Sequence, residues 1–134
     1  MNNIENNNLF IYKNKDGNVI VDAILKDDTL WLSQKGMSKV FECSIDNISL
    51  HLKNIFKNEE LTEKLVVEES SITASDGKIY KTKLYSLDAI IAVGYRVNSK
   101  KATEFRIWAT KILKEYITKG VVMDDERKNF HFLL

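Results

Sequence analysis

The chain contains no proline and a single cysteine, Cys43. Without proline, tight turns fall to glycine, asparagine and aspartate, so the turn signals are few and can be read one by one. A lone cysteine excludes an internal disulfide, and with two histidines at distant positions, His51 and His131, no usual zinc spacing can be assembled. No metal and no other cofactor is therefore expected. Long apolar runs are missing as well: none approaches the ~20 residues a membrane span requires, so no membrane role is expected. Residues 1–8 hold five asparagines but neither a basic start nor an apolar stretch, which reads as a disordered polar arm rather than a secretory signal. A cytoplasmic location is the expectation. Also absent are a Gly-x-Gly-x-x-Gly run, a P-loop, and any Ser/His/Asp or paired-carboxylate spacing that suggests catalysis, so neither an enzyme nor a small-molecule substrate is expected.

What is present suits one domain. A chain of 134 residues, 44% hydrophobic and 29% charged, has room for a single core. Residues 9–120 read as that domain. Residues 121–134 form a tail, charged and then apolar at Phe130, Phe132, Leu133 and Leu134, which either docks on a neighbour or begins something longer. Net charge is only +1, yet it is unevenly spread: residues 58–77 carry 1 basic and 6 acidic groups, residues 78–119 carry 10 and 3. The second stretch is either a phosphate-facing surface or a solvated helix and hairpin with lysines turned outward.

Asp16-Gly17 and Asp76-Gly77 each sit between β-forming stretches and predict two hairpins. Ser33 then precedes a helical pattern at Met37, Val40 and Phe41, and a second helix starts at Ser44 with Ile45, Ile48, Leu52, Ile55 and Phe56 on one face. The acidic stretch from Asn58 to Ser71 begins as a turn or short helix around Leu61 and Leu65. Leu87 to Val93 reads as a short helix buried on most sides and ended by Gly94. Asn98 or Ser99 caps the last helix, whose stripe of Ala102, Phe105, Ala109, Ile112, Leu113 and Tyr116 runs until Gly120. The fold class is α+β: two β-hairpins, a helix-turn-helix-like pair and a long C-terminal helix.

The stretch from Leu30 to Phe56 carries the parts of a helix-turn-helix in order. Gln34 opens the first helix, Ser38 sits at the small crossing position, Glu42-Cys43-Ser44 makes the turn, and Ile48 and Leu52 point inward. Two features depart from a strong DNA reader. The turn position that glycine usually fills is Glu42, which must adopt a left-handed conformation. The outer face of the second helix shows Asp46 and Leu50, so DNA contact falls to Gln34, Ser44, Asn47, Ser49 and Lys53. Cys43, just after the turn, reads as a buried packing thiol rather than a nucleophile.

The sequence GYRVNSKKATEFRIWATKILKEY, starting at Gly94, and WLSQKGMSKVFECSIDNISLHLKNIF, starting at Trp31, closely resemble the RhuM-type virulence-associated proteins of bacteria. The resemblance spans roughly Val21 to Arg127. More remotely, SKKATEFRIW opening a final helix looks like the Bro-N domain of phage antirepressors and large DNA viruses. That resemblance implies a DNA-binding α+β domain of phage or mobile-element origin. Family members are usually longer, which implies an N-terminal portion or a short version here. Arg96, Lys100 and Lys101 cluster at a helix start, where free amides already favour an anion. Arg106 either extends that contact or bridges helices through a carboxylate such as Glu104 or Asp88. The leading expectation is a transcription-regulatory module that binds double-stranded DNA, with a homodimer reading two half-sites. The alternative is a protein-interaction module whose C-terminal effector domain is absent.

Overall fold

A computed structural model describes residues 9–73 and 76–123. The expected polar arm at 1–8 and the apolar end of the tail lie outside the described residues. Three strands open the chain, β1 (Leu9–Lys13), β2 (Ile20–Lys26) and β3 (Thr29–Leu32), followed by three helices, α1 (Gln34–Phe41), α2 (Ile45–Lys57) and α3 (Glu63–Val66). Two strands, β4 (Val67–Thr73) and β5 (Ile79–Ser86), lead into α4 (Leu87–Val97) and the long α5 (Ser99–Met123). The strands form one antiparallel sheet in the order β1-β2-β3-β5-β4, so the class is α+β. Among the described residues two pairs, Trp31 with Ser86 and Leu32 with Tyr85, join the N-terminal strands to the ribbon of β4 and β5.

Period-2 alternation decides which sheet face is covered. Tyr12, Val21, Ala23, Leu25, Leu30, Leu32 and Tyr85 turn to one side and enter the core. There they meet Met37, Val40 and Phe41 of α1, Ile48, Leu52 and Ile55 of α2, Ala89, Ile90 and Val93 of α4, and Ala102, Phe105 and Ala109 of α5. Each fully buried large side chain in this set contributes on the order of 1.5–3 kcal/mol. On the opposite face Leu9, Ile11 and Ile20 are exposed. Trp31, which register places on that face, is nevertheless buried, and its indole N–H donates to the Lys26 carbonyl at 2.8 Å.

Both Asp-Gly hairpins are present, but neither is the two-residue turn of the sheet. Gly17, at φ 76°, donates its N–H to the Asn14 carbonyl at 2.9 Å. The buried Asn14 side chain accepts from the N–H groups of Asn18 and Val19 and so orders the whole loop. The two-residue turn is Asp27-Asp28, where both residues take left-handed angles, φ 55° and 63°, between the paired Lys26 and Thr29. That is the backbone of a type I′ hairpin, which aspartate tolerates better than most non-glycine residues. Lacking a glycine, it gives no obvious sequence signal, and β3 goes unanticipated with it.

Two helix ends differ from expectation. Gly94 does not end α4. It lies inside the helix, buried, and a methyl group there would stand 2.6 Å from Phe41 Cζ and 2.8 Å from Ala102 Cβ. Its glycine serves close packing, not termination. α4 ends at Asn98 instead, whose N–H donates to the Gly94 carbonyl at 2.8 Å and whose own carbonyl and side-chain oxygen accept from Ala102 and Lys101. α5 likewise passes through Gly120 to Met123, since a single glycine costs a helix only ~1 kcal/mol.

Candidate nucleic-acid interface

The α1–α2 pair is built from local chemistry. Ser33 accepts from the Gly36 N–H and Ser44 from the Asn47 N–H, each at 3.0 Å, and each cap satisfies one free amide of its helix. Between the two helices Glu42 takes φ 58° and ψ 53°, and its N–H donates to the Ser38 carbonyl. The left-handed turn is therefore made without glycine, at a cost of roughly 1–2 kcal/mol. The Glu42 carboxylate reaches outward to the Lys101 ammonium at 3.2 Å. That hydrogen bond holds the ammonium above its ordinary pKa, with the nearby carboxylates of Glu104 and Asp16 adding to the effect. Consequently the start of α5 meets the end of α1 at one junction, across which Asp16 of the β1–β2 loop is also felt.

Each candidate residue now has a place. Gln34 turns toward the sheet, its amide donating to the Tyr85 hydroxyl at 2.9 Å. Ser44 is engaged in capping. Asn47 is half-buried and hydrogen-bonded to the Cys43 thiol, opposing the upward push that burial gives the thiol pKa. Cys43 itself is half-buried rather than fully enclosed. Ser49 is half-buried, whereas Lys53 and Lys100 are exposed. Arg96 pairs with Glu60 at 2.6 Å, tying α4 to the segment after α2. Arg106 donates to the Tyr95 hydroxyl at 3.3 Å rather than to a carboxylate. Hydrogen bonds from Thr103 and then Arg106 hold that hydroxyl below its ordinary pKa. The structure thus brings Glu42 and Lys101 together and leaves Gln34 and Arg96 facing other partners.

Other cations were not singled out by motif. The outer half of β5 is largely exposed, so the ribbon stands clear of the core and carries Lys78, Lys81 and Lys83. Lys83 faces Glu69 across the ribbon and Lys81 faces Ser71. At the tip, the Asp76 carboxylate accepts from the Tyr80 hydroxyl at 2.7 Å and the Lys78 N–H at 2.9 Å, bonds that hold it below the usual carboxylate range. Lys13 and Lys15 lie beside Lys100. The surplus of lysine after Gly77 signalled the ribbon, but nothing local signalled Lys13 and Lys15. Among the described residues no three His, Cys, Asp or Glu side chains gather as a metal site, and no helix is long and apolar enough to cross a membrane.

Compared with known families, residues 65–132 match the model of the Virulence protein RhuM family, a stretch of just over half the chain. The chain belongs to the RhuM family. No curated protein and no solved structure matches it. The RhuM match begins at the end of α3 and takes in the ribbon, α4 and α5, with Arg96, Lys100, Lys101 and Arg106. The α1–α2 pair lies before it.

Proposed function

We propose that this RhuM-family domain binds double-stranded DNA as a transcription-regulatory module. In this reading α2 enters the major groove through Asn47, Ser49 and Lys53, while Lys100 and the ribbon lysines hold backbone phosphates. The observation that carries it is the 3.2 Å contact between Lys101 and Glu42, which anchors the basic start of α5 against the helix-turn-helix turn. The N-terminus of α5, which favours an anion, then lies beside the turn that leads into α2, with the exposed Lys100 next to it in the chain. A homodimer would place two copies of α2 about one helical turn, ~34 Å, apart on a two-fold site.

The test is fluorescence anisotropy of a labelled duplex across a salt series. Binding by phosphate contact gives a logarithmic salt slope of about −0.9 per phosphate neutralised. A Lys53→Ala, Lys100→Ala, Lys101→Ala variant should bind more weakly and with a shallower slope, and an unchanged slope refutes the proposal. One observation favours a second reading. Ile45 and Leu50 on α2 are 45% and 55% exposed, an apolar surface better matched to a protein partner than to DNA. Under that reading Leu50→Lys abolishes partner binding and the triple lysine variant retains it.

A further inference from the structure

A second feature stands apart from the groove-facing helix. Between β1, the loop after it and the first turns of α5 lies an open cavity of about 500 Å³, a size typical of small-molecule sites. Its rim carries Lys13, Lys15 and Lys100, which come from two separate elements, and all three are exposed. Its wall includes Ile107, 58% exposed, and the half-buried Trp108. The Trp108 ring is held by an edge contact with Tyr12 at 5.0 Å and a tilted contact with Phe105 at 5.5 Å. Such a ring is fixed in advance, so a planar ligand laid on it meets little further ordering cost. Glu104 also lines the cavity, and one of its carboxylate oxygens, Oε1, is buried without a hydrogen-bond partner. That oxygen is closed to solvent, so a ligand donor meets Glu104 through the part of its side chain that lines the cavity.

We propose that this cavity binds a nucleoside 5′-phosphate unit, with the base against Trp108 and Ile107 and the phosphate held by Lys13, Lys15 and Lys100. Glu104 selects a base that offers N–H donors on its pairing edge. Guanine suits it best, because its ring N–H and amino group lie side by side and offer two donors to the accessible part of the side chain. The combination of aromatic wall and cationic rim is what a nucleotide requires, since its apolar ring and charged phosphate are adjacent. The same unit is available from a free nucleotide or from the 5′ end of a nucleic-acid strand. The proposal does not rest on the groove reading: Lys13, Lys15, Glu104 and Trp108 take no part in that one, and Lys100 alone is shared.

Tryptophan fluorescence of the full chain, titrated with guanosine 5′-monophosphate, tests it. Trp31 is buried on the far sheet face, so a saturable change should disappear in Trp108→Phe. A Lys13→Ala, Lys15→Ala variant alters only exposed positions and should weaken binding by about tenfold, the loss expected for removing charge-assisted phosphate contacts. Glu104→Ala should erase the preference for guanosine over thymidine monophosphate. A parallel titration with a short 5′-phosphorylated single-stranded oligonucleotide separates the sources: saturation by mononucleotide alone assigns a free nucleotide, and much tighter saturation by the oligonucleotide assigns a strand end. No saturable change with either probe overturns the proposal, as does equal affinity in the double lysine variant. Duplex binding unchanged by Lys53→Ala, with nucleotide binding intact, would strike the groove reading alone.

Discussion

The two helix pairs of this domain are joined by short links but built on opposite terms. α1 and α2 meet through large side chains, Met37, Val40 and Phe41 against Ile48 and Leu52, and their link accepts a left-handed glutamate. α4 and α5 meet through small ones: Gly94 lies against Ala102, and one residue, Asn98, both ends the first helix and starts the second. Bulky contacts can rearrange rotamers when a neighbour changes, whereas backbone at close approach has nowhere to move. The RhuM match falls on the second pair and leaves out the first. The part of the chain with the tighter steric requirement is thus the part the family model recognises, while the pair that looks like a DNA reader lies before it.

The strongest way to break this comparison is Gly94→Ala. Its new methyl group would collide with Phe41 as well as Ala102, so a loss of about 2–3 kcal/mol is expected in urea unfolding. A loss below ~0.5 kcal/mol would mean that the close pair yields as readily as the other. On the α1–α2 side, Ser44→Ala removes the cap bond to Asn47 and should cost about 1 kcal/mol by the same measurement. Glu42→Gly sets two terms against each other. It relieves ~1 kcal/mol of left-handed strain and forfeits an exposed ion pair worth about 0–1 kcal/mol. A small net stabilisation is expected. The same change removes a negative charge from beside Lys101, so under the DNA proposal duplex affinity should rise, and a fall would count against it.

pH separates the ribbon from the junction. The Asp76 carboxyl is held below its ordinary value, so its contribution is complete above the ordinary aspartate range and is lost as pH falls through the lowered folded value. Lys101 is shifted the other way. Its pair with Glu42 contributes fully below the ordinary lysine value and is lost as pH rises through the raised one. Both groups are solvent-accessible, so the effects are local. Protection of the Lys78 amide, taken relative to the unstructured exchange rate at each pH, should fall first in acid, and that of Glu42 and Lys101 first in alkali. The smallest effect belongs to Asp27→Asn, which suits the first left-handed position of the type I′ turn and should stabilise by a few tenths of a kcal/mol.

Much of the fold was legible because its signals are local. Ser33 and Ser44 announce their helices through caps three residues long, and Gly17 and Gly77 mark turns through the sign of φ. The Asp27-Asp28 turn was not legible, since aspartate signals many loop conformations and only the paired strands show which is used. Gly94 misled for a related reason: glycine after an apolar helix commonly ends it, and the contact with Phe41 that explains it comes from 53 positions earlier in the chain. Of the candidate site, the basic start of α5 was readable as a cluster. That Gln34 turns to Tyr85 and Arg96 to Glu60 depends on residues far away in sequence.

By itself, then, the sequence determined the four longer helices, the Ser33 and Ser44 caps, the left-handed Glu42 and the inward stripes of Met37, Val40 and Phe41 and of Ile48, Leu52 and Ile55, because these depend on neighbours within about one helical turn. Tertiary structure alone decided that β3 lies beside β5, that Gly94 must remain without a side chain, and that Lys101 is held against Glu42 while Lys100 stays exposed. Those outcomes depend on which distant surfaces the buried core brings into contact, and a lysine acquires a partner only when the packed helices place a carboxylate within reach.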